Sequence, residues 1–171
     1  MFVVVIFRPK YYQNKMIYSR LTKEQLEELH PEFTRFLASQ SIDKNEWEAL
    51  KINKPEIAEQ EIDVFSDYIW DEVLSKATFA ENVSEKTLFL FEFLTNEMKA
   101  LIIKTNNQTI DFQTPEGKKW IFKNIHSDEI ELTQGTKKYS QNRNVEIFNL
   151  IQQGAVLSKG EMYKHILNSV F

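Results

Sequence analysis

Glu59, Asp63, Asp67 and Asp71 recur at i, i+4, i+8 and i+12 within the stretch PEIAEQEIDVFSDYIWDEVL. On a helix that spacing lines four carboxylates along one face, and like charges so placed cost a few tenths of a kcal/mol per pair. Two chemistries use such a stripe: docking of a basic partner, or coordination of a divalent cation. Mg²⁺ or Ca²⁺ needs oxygen ligands converging from several segments, which a single helix face does not supply. No E-x-x-H pair of the di-iron kind lies on this helix either. The stripe is therefore read as a solvated face and a candidate docking surface for a basic protein partner, with no metal and no cofactor. The competing reading is internal: carboxylates at the edge of the packed face that meet Lys or Arg from the basic C-terminal half.

Other chemistry is sparser. The histidines His30, His126 and His165 lie in separate elements, with no two at ligand spacing. The chain has no cysteine, so disulfides, thiolate metal sites and cysteine nucleophiles are excluded together. No G-x-S-x-G, Walker loop, G-x-G-x-x-G or H-E-x-x-H occurs, and four glycines leave little material for phosphate-cradling loops. No catalytic residue is assigned, and an enzyme with a dispersed site is the alternative to an interaction module. Lys118, Lys119, Lys123, Lys137, Lys138 and Arg143, interleaved with Trp120, Phe122 and Tyr139, are a third possibility as a nucleic-acid surface. The net charge of −4, and Asp128, Glu129 and Glu131 within the same segment, weigh against it.

Local signals place the elements that must carry these side chains. Thr22-Lys23-Glu24-Gln25 reads as a capping box, with Leu21 and Leu26 as its hydrophobic staple. Leu29, Phe33, Phe36 and Leu37 continue at helical spacing, and Pro31 predicts a kink or restart after His30. The same grammar recurs at Asp43 to Glu46 and at Ser158 to Glu161. Pro55 suits the first turn of a longer helix, whose apolar face runs through Ile62, Phe65, Ile69, Val73 and Leu74. Trp47, Phe65, Trp70 and Trp120 are expected in the core.

From Thr87 the texture changes. LFLFEFL and MKALIIKT read as two strands around a short turn, with a third at Thr109 to Phe112 and a weaker signal at Ile130 to Leu132. Thr114-Pro115 caps a short helix, and another helix over Val145 to Ile151 stops at Gly154. The last two helices have the look of an αα-hairpin. Helices, then strands, then helices give an α+β fold with a small antiparallel sheet of about three strands and a C-terminal helix pair.

Charge divides unevenly, with −10 over residues 16–97 and +3 over residues 98–171. The opening run FVVVIF, residues 2–7, is too short and too bare of preceding charge for a secretory signal, and far below the length of a membrane span. It is either a strand buried on both faces or sequence upstream of the working domain, and the second reading is favoured. The expected chain is a soluble, cytoplasmic, single domain over residues 16–171, with residues 1–15 a non-native or dispensable extension.

MIYSRLTKEQLEELHPEF, PEIAEQEIDVFSDYIWDEVL and NRNVEIFNLIQQGAVLSKGEMYKHI resemble a family of small uncharacterised proteins from Bacteroidetes bacteria. The resemblance runs from Met16 to the C-terminus and implies a start equivalent to Met16. It implies no activity, ligand or catalytic residue. Deleting residues 1–15 is accordingly expected to leave thermal unfolding unchanged. If FVVVIF were a central strand, its loss would remove several buried side chains at roughly 1.5–3 kcal/mol each and leave the chain unfolded.

Overall fold

The computed structural model describes residues 15–170, so the run at residues 2–7 and its strand reading lie outside the described residues. The contacts divide the chain into two compact units, one ending at Ile69 and the other beginning at Trp70.

In the first unit both N-terminal capping boxes form. Thr22 starts α1 (Lys23–Glu28) by accepting from the Gln25 amide at 3.2 Å, while the Gln25 side chain accepts from the Thr22 amide at 2.8 Å. The helix breaks at Leu29 and restarts as α2 (His30–Ser39) with Pro31 in its first turn, where a missing N–H costs nothing. Asp43 and Glu46 repeat the reciprocal cap on α3 (Lys44–Asn53). The long α4 (Pro55–Lys76) begins in this unit and runs through the boundary as one helix. Phe65 of α4 is fully buried, with the rings of Phe33 and Phe36 at 4.9 and 5.3 Å and Trp47 edge-on to Phe33 at 5.2 Å.

The second unit is built on an antiparallel sheet in the order β4-β3-β2-β1-β5. Its strands are β1 (Phe79–Val83), β2 (Thr87–Phe93), β3 (Glu97–Thr105), β4 (Ile130–Lys138) and β5 (Val156–Ser158). The period of two sorts LFLFEFL onto both faces. Leu88 and Leu90 meet Ile103 and Leu101 across the β2–β3 ladder, and α5 (Pro115–Asn124) and α7 (Glu161–Val170) bring Ile121, Tyr163 and Ile166 onto that face. Phe89, Phe91 and Phe93 stack along the opposite face, which α6 (Arg143–Gln152) covers. Burial on both faces explains why β2 lacks the alternation of a half-exposed strand.

The fold class is α+β as expected, with five strands among the described residues where the sequence suggested about three. Thr109 to Phe112 is not a strand. The Lys86 ammonium spends its donors on the carbonyls of Asn107, Gln108 and Ile110, at 3.1, 3.2 and 2.5 Å, and folds that segment into a loop. The weak signal at Ile130 extends to Lys138. FAENV was missed because it lacks both alternation and β-branched density. The expected αα-hairpin is interrupted by β5, and with it the third capping box fails. Ser158 belongs to β5 and accepts from the Gly160 amide at 3.2 Å, so α7 starts at Glu161. Of the four expected core residues only Phe65 is fully buried. The three tryptophans are half-buried, Trp70 lying edge-on to Phe148 at 5.0 Å.

Two helices end in the same Schellman geometry with different residues at the left-handed position. After α6, Gly154 has φ 97° and Ala155 donates to Leu150; after α2, Ser41 takes φ 59° and Ile42 donates to Leu37. Ser41→Gly should therefore raise stability by about 1 kcal/mol in chemical denaturation. Gly160 is the opposite case, with φ 73° and a Cβ that would lie 2.3 Å from the Phe79 ring. Gly160→Ala should cost at least about 2 kcal/mol, combining backbone strain with overpacking.

Candidate functional site

The four carboxylates of α4 do lie along one helix face, but they do not form an unpaired one. Arg20, in the segment entering α1, donates through Nε to Asp63 at 2.6 Å and through its terminal nitrogen to Glu59. Asp67 accepts two consecutive backbone amides, Ile17 at 2.8 Å and Tyr18 at 2.9 Å, one on each carboxylate oxygen. Leu21 completes the seat: its side chain is buried and its amide donates to Ser66 Oγ at 3.2 Å. Asp71, in the second unit, accepts from Asn144 Nδ2 at 2.9 Å. The stripe thus holds chain segments of its own. Where the competing reading expects Lys or Arg from the basic C-terminal half, Arg20 and two amides before the first helix are the partners of Glu59, Asp63 and Asp67. No local signal links residues 17–20 to residues 59–67. Only Arg20 itself, a cation just ahead of a capping box, hinted at it.

A second polar cluster went unread in the sequence. Glu146 is 5% exposed in the first turns of α6. Its Oε2 accepts from Lys137 Nζ at 2.8 Å. Its Oε1 accepts from the Ser140 amide, from the Ser140 hydroxyl at 3.1 Å and from the Gln141 amide at 3.1 Å. Lys137 above all, then the backbone donors, hold this carboxyl at about 2 instead of 4.5, against the opposing effect of burial. Beside it opens a cavity of about 470 Å³, floored by Phe91, Met98 and Ala100 and rimmed by Gln141, Asn149 and Gln153. Glu146 lines this cavity as a saturated anion, and so weak a base is poorly matched to proton abstraction near neutral pH.

The basic cluster is taken apart. Lys118, Lys119 and Lys123 lie on α5, Lys137 and Lys138 on β4, and Lys137 is engaged by Glu146. Arg143 donates to the carbonyls of Leu74 at 2.9 Å, Ala77 at 2.6 Å, Leu94 at 3.1 Å and Phe93 at 3.4 Å. Tyr139 shares the Leu94 carbonyl at 3.2 Å, and burial pushes its phenol up against the pull of Arg143. Trp120 packs against the apolar core and Phe122 lies edge-on to His165 at 4.5 Å. His30, His126 and His165 are exposed and stand in different elements. Among the described residues no three His, Asp or Glu are placed to hold a metal ion, and no helix is long and apolar enough to cross a membrane.

Compared with known proteins, the chain matches the model of a family of unknown function (DUF6495) over residues 16–170, and it belongs to that family. No curated protein and no solved structure matched it.

Glu146 generates a pH prediction. Its folded pKa of about 2 lies below the ordinary 4.5, so its stabilisation is complete above the unfolded value and is lost as the pH falls from there toward 2. Glu146→Gln should cost on the order of 2 kcal/mol at pH 7, because it removes the charge from several charge-assisted hydrogen bonds. The same variant should flatten the acid limb of a pH series of denaturation midpoints. An unchanged acid limb would contradict the assignment.

Proposed function

We propose that this member of the family is a non-catalytic interaction module of the cytoplasm, whose acidic α4 face takes a basic protein segment. The observation that carries this reading is the seating of residues 17–20. One carboxylate captures two consecutive amides, a chemistry indifferent to side chains, and the next two carboxylates toward the helix N-terminus grip a guanidinium. Together they recognise a bent backbone that turns two adjacent amides to one side, followed by a cation, which is the chemistry of a basic peptide.

The contact made within the chain is suited to exchange. The side chains of Arg20 and Glu59 are 41% and 58% exposed, and ion pairs so wetted contribute about 0–1 kcal/mol. A partner segment with the same chemistry therefore competes first for these exposed guanidinium contacts. A small enzyme is the second reading, favoured by the cavity beside Glu146, but that carboxylate is saturated and offers no free base.

The test uses a labelled peptide of the sequence KMIYSRLT, residues 15–22. The full chain carrying Arg20→Ala should bind it more tightly than the parent, and binding should strengthen at low salt. Adding Asp63→Asn to Arg20→Ala should abolish the gain. A folded Arg20→Ala chain that ignores the peptide at low salt would refute the reading.

A further inference from the structure

The sheet of the second unit ends on β4, which pairs with β3 over its full nine residues in unbroken register. No strand lies on its outer side among the described residues. Edge strands are commonly blunted by proline, by a bulge or by shortness. The other edge, β5, is only three residues long, but β4 has no proline and no bulge. Residues 133–138 are exposed throughout, and a Cβ built on Gly135 would meet nothing within 4 Å.

Ladder alternation identifies the groups that face outward. The Tyr139 amide donates to the Asn96 carbonyl at 3.3 Å, continuing the β3–β4 register by one pair. Hydrogen-bonded pairs recur every second residue. Glu131, Thr133, Gly135 and Lys137 therefore turn their backbone groups toward β3. Leu132, Gln134, Thr136 and Lys138 present theirs to the open side.

We propose that β4 is a self-association edge, at which two copies of this chain pair antiparallel about Gln134 and join two five-stranded sheets into one. The charge pattern selects a second copy as occupant. Pairing centred on Gln134 sets Glu131 of each copy opposite Lys137 of the other, twice across the twofold axis. Both residues fall in non-hydrogen-bonded pairs, where side chains approach most closely. Lys137 is 61% exposed at its side chain although it also meets Glu146, so it remains accessible to a second carboxylate. The same register sets Thr133 against Gly135, whose missing side chain leaves room. A pairing confined to one strand falls at the small end of protein interfaces, so the dimer forms in a concentration-dependent manner.

Sedimentation and amide hydrogen exchange of the full chain over a concentration series test this. The expected result is a monomer–dimer equilibrium in which Leu132, Gln134, Thr136 and Lys138 gain protection as concentration rises. The amides of Thr133, Gly135 and Lys137 should be protected throughout. Glu131→Lys puts like charges opposite each other twice and should weaken association about tenfold or more with unchanged circular dichroism. Gln134→Pro removes one outward donor and should also weaken it. If that variant fails to fold, Glu131→Lys alone decides. A chain that stays monomeric up to about 1 mM would overturn the proposal. So would a dimer whose four outward amides stay unprotected, or one as tight with Glu131→Lys as without it.

Discussion

Arg143 stands where α6 begins, and its guanidinium is spent on backbone carbonyls. Two of them, Leu74 and Ala77, lie where α4 runs out, and two, Phe93 and Leu94, lie at the end of β2. The last carbonyls of a helix have no partner within it, and a cation is the favoured group at that end. One side chain thus closes α4 and pins the start of α6 to the sheet. From that point the rest of this face follows. Asn142 caps α6, Glu146 one turn on gathers the Ser140 and Gln141 amides, and Lys137 ties the cluster to β4. The cavity beside Glu146 is a consequence of this arrangement, because α6 is held by its polar first turn over an apolar floor.

In the first unit the same economy of polar contacts works in the other direction. The carboxylates of α4 would repel one another if left bare, and residues 17–20 bring the donors that offset this. Ser66, wholly buried, extends the seat by accepting from Leu21 and donating to the Ile62 carbonyl at 2.7 Å. Glu59, Asp63 and Asp67 are therefore engaged locally, by the short segment that enters α1.

What the sequence revealed follows the range of the forces involved. The caps at Thr22, Asp43 and Thr114 were legible because donor and acceptor lie within one turn. Ser158 has the same local grammar, yet tertiary structure overrides it. β1 claims Ser158 as an edge-strand partner, and Gly160 turns through positive φ against the Phe79 ring. β1 itself was illegible because FAENV acquires strand character only between β2 and β5. The stripe was visible as a helical periodicity. Its occupants were not, since the pairs Ile17–Asp67 and Arg20–Asp63 are 50 and 43 residues apart. Glu146 looked like any first-turn acid. Its burial depends on a loop whose path no local pattern records.

The seat on α4 is the claim on which the functional reading rests, and amide exchange at Ile17 and Tyr18 examines it most directly. Both amides should exchange more slowly than the unpaired amides of exposed segments, and Asp67→Ala should release the two together while the exchange of β2 and β3 is unaffected. Exchange at the free rate for both amides in the parent chain would contradict it.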